Sequence, residues 1–415
     1  MNAVAPRMHD LVIVGGGLVG ASLALALEPL GLDIALVDAA AAGELPPVFD
    51  ERSLSFAEAT INALTALGVM QALEAHGGPI RRIVVTRAGD FGQARLDATR
   101  YGRTEFGQVV VARDFGQALE ARLERMSRLT RYRPARLMST SMDGALRSVV
   151  LDQGGETITL AAPLVVGADG TASALRTSLG IEADSHEYGH ALFVARLRTG
   201  RAPDGTAYER LTDHGPTALL PRADRHFGLV HGVADDEADA VQALDEDAFL
   251  ARLQSRLGWR HGRLLACGER SRYAGRRVIA RRVIAPCAVL VGNAAQTIHP
   301  LGAQGFNLGL RDALTLAEEI AVALGEGGQA AIGHGSVLQR YVDRRSEDRR
   351  RTLAFSDGLL RVGIAPGTLL RPLRSLALLS LDHPSWLQAW LVGGAMGYRG
   401  DVPALCRADD GRRSA

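Results

Sequence analysis

An α/β fold is predicted by three stretches of this sequence: a β-branched run breaking into spaced glycines (residues 11–20), an apolar run ending in Asp-Gly (164–170), and an apolar run ending in Gly-Asn ahead of a glycine-punctuated loop and helix (288–324). Each is a short, wholly apolar strand followed by a turn, which is how buried parallel strands read. The fold class that follows is a Rossmann-like dinucleotide-binding domain with an inserted β-sheet domain and a helical C-terminal region.

The first stretch is Leu11 to Val14, followed by Gly15, Gly17 and Gly20 at G-x-G-x-x-G spacing and a small-residue helix that Pro29 helps to end. Gly15 permits the tight turn, Gly17 lets backbone approach a pyrophosphate, and Gly20 lets helix pack on strand. The helix N-terminus offers free N–H groups and a positive dipole end to phosphates. A second strand, Ile34 to Val37, ends on Asp38, where a carboxylate accepts hydrogen bonds from an adenosine ribose. NAD, NADP and FAD all fit this unit. Gly325 to Ala330 also scans as G-x-G-x-x-A, but it follows a helix and reads as a connector.

Composition narrows the class. At 415 residues the chain exceeds one ordinary domain. Its formal net charge of +1 argues against a nucleic-acid partner. Cys267, Cys287 and Cys406 fit no metal or disulfide spacing, which points to a reducing, cytoplasmic setting. The first ten residues lack a signal-peptide core, and no apolar run reaches the roughly eighteen residues of a membrane span.

In the second stretch Leu164 to Gly170 continues to Arg176 as D-G-x-x-S-x-x-R, with Asp169 at the turn and Ser173 placed to cap a helix. In the third, Gly292 and Asn293 follow the strand, Pro300 to Gly305 form an irregular loop, and a helix runs from about Phe306 to Leu324. Loop glycines allow a flat ring to lie on backbone, and the helix start favours an anion there by about 0.3–2 kcal/mol.

These three motifs, in this order, resemble the class A flavoprotein aromatic hydroxylases of the 4-hydroxybenzoate hydroxylase kind. The resemblance covers about Asp10 to the mid-350s, and GNAAQTIHPLGAQGFNLGLRD is most similar to the ubiquinone-biosynthesis branch, closest to its 2-polyprenyl-6-methoxyphenol hydroxylases. Most family members carry Asp where this chain has Asn293; the ubiquinone branch carries Asn, whose amide oxygen still accepts. By the same resemblance Arg52 of Asp50-Glu51-Arg52 lies on the cofactor, with a helix-start salt bridge as the alternative. Arg113, or Gln117 one turn on, matches the polar residue of the crossover helix, and Gly302, Gly305 and Asn307 match the flavin-ring contacts.

The resemblance implies FAD as cofactor, NADPH or NADH as reductant and dioxygen as co-substrate, acting through a C4a-hydroperoxide on a polyprenyl phenol. His299 is the candidate proton carrier and Pro300 the candidate wall beside the reacting oxygen. It also implies a discontinuous FAD-binding domain (1–75, 100–185, 278–350), a substrate-binding sheet domain (76–99, 186–277) and a helical C-terminal region (351–415). Arg340 to Arg351 alternates charge and reads as a solvated helix face. The leucine-rich 353–396, with Arg361, Arg371, Arg374, Trp386 and Trp390, reads either as packed core or as an apolar patch for a prenyl tail, peripheral to the inner membrane. Other ubiquinone-biosynthesis proteins are the expected partners. Hydroxylation at another ring position, a different small phenol, a flavin reductase or halogenase, and a non-catalytic pathway subunit are the alternatives. Trp259 stands alone in its region, where a halogenase would pair tryptophans.

Overall fold

The computed structural model describes residues 5–46, 49–364, 371–380, 382, 388, 392–394, 396–398 and 400–407. A six-stranded sheet carries the order Ile284–Ala285, Ala288–Leu290, Leu164–Gly167, Leu11–Val14, Ile34–Val37, Leu129–Tyr132. All its pairings are parallel except the edge pair 284–289. The register sets Gly167 beside both Val14 and Leu290. All three motif strands therefore end together at one carboxyl edge, where ligands of open α/β sheets bind. Helices Leu18–Leu27, Ala112–Leu123 and Gln304–Gly327 pack around this sheet.

A nine-stranded sheet lies against that unit. Its main path runs Gln296–Thr297, Ser271–Ala280, Ala183–Thr199, Phe227–Ala234, Thr217–Pro221, Thr206–Leu211, Arg82–Arg87, Gln93–Asp97, with Leu264–Cys267 beside the long central strand. Helix Glu246–Leu257 covers one face, where Phe193, Leu219, Phe227 and Leu229 meet Phe249 and Leu253. The other face turns to the nucleotide unit: a Cβ on Gly228 would lie 2.5 Å from that of Ser53. Two small sheets complete the chain. One joins Ser53–Ala57, Gly107–Val111 and Gly78–Ile80; the other joins Arg7–Met8, Glu156–Ala162, Leu146–Gln153 and Arg136–Asp143.

Two sequence expectations are corrected here. Arg340 to Arg351 lies on helix Gly335–Ile364, but its face is not simply solvated: Arg345 and Asp348 are buried and joined to Arg311 and Asp312. Alternating charge marks pairing, and here the pairs point inward. Arg52 is not at a helix start; it pairs with Asp50 just ahead of strand Ser53–Ala57. Trp386 and Trp390, and the side chains of Arg361, Arg371 and Arg374, lie outside the described residues. Among the described residues no helix is long and apolar enough to cross a membrane.

Candidate functional site

At the carboxyl edge, Gly15 adopts φ +109°, and a Cβ there would lie 2.5 Å from the Ala168 carbonyl. That is a left-handed backbone only glycine takes without strain, with no room for a side chain. Gly20 is equally closed, since a Cβ would overlap the Gly15 carbonyl oxygen. Helix Leu18–Leu27 begins at Gly17 with no side-chain cap, which leaves its first N–H groups for a ligand. Asp38 stands beside Gly16, its carboxylate accepting from Ala40 N–H at 2.8 Å. Burial raises its pKa against those hydrogen bonds and the Arg131 and Arg133 charges.

The second strand end behaves differently. Asp169 accepts from Ser173 Oγ at 2.5 Å and from Leu175 N–H at 3.0 Å, while Ser173 caps Arg176 N–H. Arg176 in turn donates to the carbonyls of Thr171 and Ala294, at 2.8 and 2.9 Å, tying this turn to the third strand end. Its bridging role was not singled out from sequence.

At the third strand end Gly292 takes φ +57° under Val19, and Asn293 is exposed with no side-chain hydrogen bond to a described residue. Gly302 (φ +75°) and Gly305 are not crowded: a Cβ would meet only ordinary contacts, with Phe355 at 3.8 Å and Ile298 at 3.9 Å. Helix Gln304–Gly327 starts at Ala303, itself left-handed at φ +51°, again with no side-chain cap. So two uncapped helix N-termini and an exposed, unpartnered Asn293 surround one crevice.

Other expected residues are placed less simply. The Asn307 side chain is saturated, accepting from Ala57 N–H and Thr60 Oγ1 and donating to the Ser55 and Ala303 carbonyls, at 2.7–3.0 Å. Nothing is left for a ligand, so the expected side-chain contact is corrected to a clamp. His299 is fully buried, and its Nδ1 accepts from Leu301 N–H at 3.1 Å. That leaves Nε2 to donate to His190 Nε2 at 2.8 Å, while His190 Nδ1 donates to the Tyr188 carbonyl at 3.2 Å. Both ring nitrogens of His299 are spent, and burial pushes its pKa down to about 3, keeping it neutral. The expected catalytic role gives way to a brace under the loop. Pro300 is exposed and its carbonyl accepts from Ala303 N–H at 2.7 Å. Arg52 donates to Asp50 and lies over the Tyr273 ring at 4.7 Å, and Tyr273 hydroxyl donates to Asp50. Arg113 is exposed and paired with Glu51; Gln117, one turn on, is exposed too.

The family model described as the FAD binding domain matches residues 8–356. The chain is 33% identical to ubiquinone hydroxylase UbiL of Rhodospirillum rubrum, over 89% of this chain and 86% of that one. It is 30% identical to 3-demethoxyubiquinol 3-hydroxylase of Escherichia coli, over 94% and 98%. Its fold is similar to the crystal structure of p-nitrophenol 4-monooxygenase PnpA from Pseudomonas putida DLL-E4, with a TM-score of 0.78 at 16% identity, covering 95% of this chain and 99% of that one.

Proposed function

Because this chain belongs to the FAD-binding-domain family, as an FAD-dependent monooxygenase, we propose that it hydroxylates the aromatic ring of a polyprenyl phenol of the 2-polyprenyl-6-methoxyphenol class in ubiquinone biosynthesis. The observation that carries this reading is the meeting of three strand ends, two uncapped helix N-termini and an open glycine loop at one crevice. Gly15, Gly17, Gly20 and the helix N–H groups they present would hold the pyrophosphate of FAD, and Asp38 the adenosine ribose. Asn293, Gly292 and Asp169 would border the chain between phosphate and ring. Gly302 and Gly305 would let the ring lie on backbone, where the start of helix Gln304–Gly327 favours negative charge. Arg52, Arg113 and Gln117 would supply polar contacts at the rim of the crevice.

FAD held there would supply the redox chemistry of ring hydroxylation, with NADPH or NADH as reductant and dioxygen as co-substrate. The protein's work is to bind, orient and exclude water. The nine-stranded sheet roofs the crevice, and Leu211 on it packs against Leu301 of the loop. An apolar patch supports peripheral contact with a bilayer holding the prenyl tail: Phe91 is 73% exposed and Leu376 58%, on either side of the Phe91 N–H to Ser375 Oγ hydrogen bond.

Purified protein should be yellow, and its oxidation of NADPH by dioxygen should accelerate with a prenylated methoxyphenol and yield the ring-hydroxylated product. Deleting the gene should accumulate one quinone precursor, whose structure names the ring carbon. A colourless protein that refuses FAD, or a deletion strain with normal quinone, overturns the reading.

A further inference from the structure

Glu209 lies in strand Thr206–Leu211, and its neighbours fix its direction. Tyr208 packs with Phe227 on the face covered by helix Glu246–Leu257. Alternation therefore turns Glu209 to the other face, toward the nucleotide unit. Two residues before it, Ala207 closes an apolar cluster with Ile80, Val392 and Met396. Two residues after it, Leu211 closes another with Leu301 and Leu360. Glu209 falls between the two and belongs to neither. Its cross-strand partners on that face, Val85 and Ala218, are apolar, and Val85 itself packs against the Leu301 cluster.

No described residue gives the Glu209 carboxyl a hydrogen bond or an ion pair. It is deep in the protein yet retains accessible surface, as a side chain lining an internal space does. A desolvated carboxyl with no protein partner costs stability, and no described side chain offsets it. The neighbours of Glu209 on that face, Val85 and Leu211, pack with Leu301 of the loop that carries Gly302 and Gly305.

We propose that Glu209 accepts the proton of the substrate's ring hydroxyl; this rests on the ring-hydroxylase reading above. The phenol O–H bond breaks, its electron pair stays on oxygen, and the proton joins a Glu209 carboxylate oxygen. The ring, enriched by the phenolate, takes the oxygen atom that FAD chemistry delivers from dioxygen. Re-aromatisation releases the displaced ring hydrogen to solvent as a proton, the new ring oxygen takes one proton from solvent to become a hydroxyl, and the Glu209 proton returns to the phenol oxygen. An ordinary carboxylate is far too weak a base for a phenol that holds its proton to about pH 10, but burial pushes Glu209 up to about 8. On the same sheet face stand Arg87, paired with Asp213, Arg196, paired with Asp224, and Tyr273. From the opposite elements come Asp50, Arg52, His299 and Asp357, each with a partner of its own. Burial is the sole cause of the Glu209 shift.

The test uses FAD-loaded wild type, Glu209→Gln and Glu209→Asp with 2-methoxy-6-prenylphenol, from about pH 6 to about pH 10. In wild type kcat/KM should rise through about pH 8, and the ultraviolet difference spectrum of bound phenol should show phenolate below the phenol's own pKa. Glu209→Gln should bind the phenol un-ionised, lose about 10²–10⁴-fold in rate near neutrality, and recover as pH approaches the phenol's own pKa. Glu209→Asp should keep part of the phenolate signal. FAD content and melting temperature confirm that each variant is folded; Glu209→Gln removes a desolvated titratable group and should fold at least as well. A Glu209→Gln enzyme with the wild-type phenolate spectrum and pH profile overturns the assignment alone, as does a wild-type rate that falls through about pH 8. A wild type that neither binds nor hydroxylates the phenol overturns the functional reading and the assignment with it.

Discussion

His299 is held by Leu301 N–H on one side and His190 on the other, and His190 is itself wedged beside Gly275, where a Cβ would lie 2.8 Å from its ring. The sequence offered His299 as a proton carrier because it stands in the ring loop, although a histidine beside a proline there is more often structural. Its partner is 109 residues away, and only the sheet register brings the two together. Replacing His299 with Asn should keep the Leu301 contact and strand His190, costing about 1–3 kcal/mol by urea denaturation at pH 7. The pH dependence has a definite sign. His299, His231 and His261 are pushed by burial to about 3, 3 and 4, below the unfolded value of about 6.5. Their neutral forms are favoured by the fold, so that stability is complete above about pH 6.5 and drains away as pH falls toward 4. Wild type should lose stability between pH 7 and 5, and His299→Asn should lose less over the same interval.

Helix Gln304–Gly327 reads from sequence as a helix after a glycine loop, and that much is local. What holds its first turn is not. Asn307 ties it to strand Ser53–Ala57 and to Thr60, 247 residues earlier in the chain. Asn307→Asp would set a carboxylate against the Ser55 and Ala303 carbonyls and remove both donors, at a cost of at least about 2 kcal/mol. A lower melting temperature together with weaker FAD retention is the expected result; unchanged melting would refute the clamp. Helix Leu18–Leu27 gives a cleaner case, because its constraint lies within six residues and is visible in the glycine spacing. Gly20→Ala places a methyl group on the Gly15 carbonyl and 3.2 Å from Ala168 Cβ. The turn must open, and FAD affinity by titration of the apoprotein should fall at least about tenfold.

Across the whole molecule, a buried ionic network joins the two long helices to the crevice. Arg311 donates to Asp348 at 2.7 Å, Arg345 bridges Asp348 and Asp312 at 2.8 and 2.9 Å, and Asp312 accepts from Gln296 at 2.5 Å and from Gly292 N–H at 3.3 Å. Burial works against the Asp348 carboxylate, but Arg311 and Arg345 more than offset it and hold its pKa below the usual range. Its contribution is therefore present above about pH 3.8 and lost only as pH falls through the lower folded value, a more acidic window than that of the histidines. Asp348→Asn should cost about 3–5 kcal/mol, since two buried arginines lose a shared partner. Differential scanning calorimetry near neutral pH checks this, and a shift within error would mean the network is replaceable.

The three strand-end motifs, and with them a dinucleotide cofactor, were legible in the sequence because each is written within some twenty residues, as glycine spacing and apolar runs that backbone sterics alone dictate; FAD in particular rested on the family resemblance. Tertiary structure alone decided which polar side chains are spent on the fold and which remain free. Asn307 and His299 are consumed by partners far along the chain, Arg345 and Asp348 turn inward, and Glu209 is left without a partner. A side chain's hydrogen-bonding capacity is finite, and whether it is filled depends on register between strands distant in sequence, which no local pattern encodes.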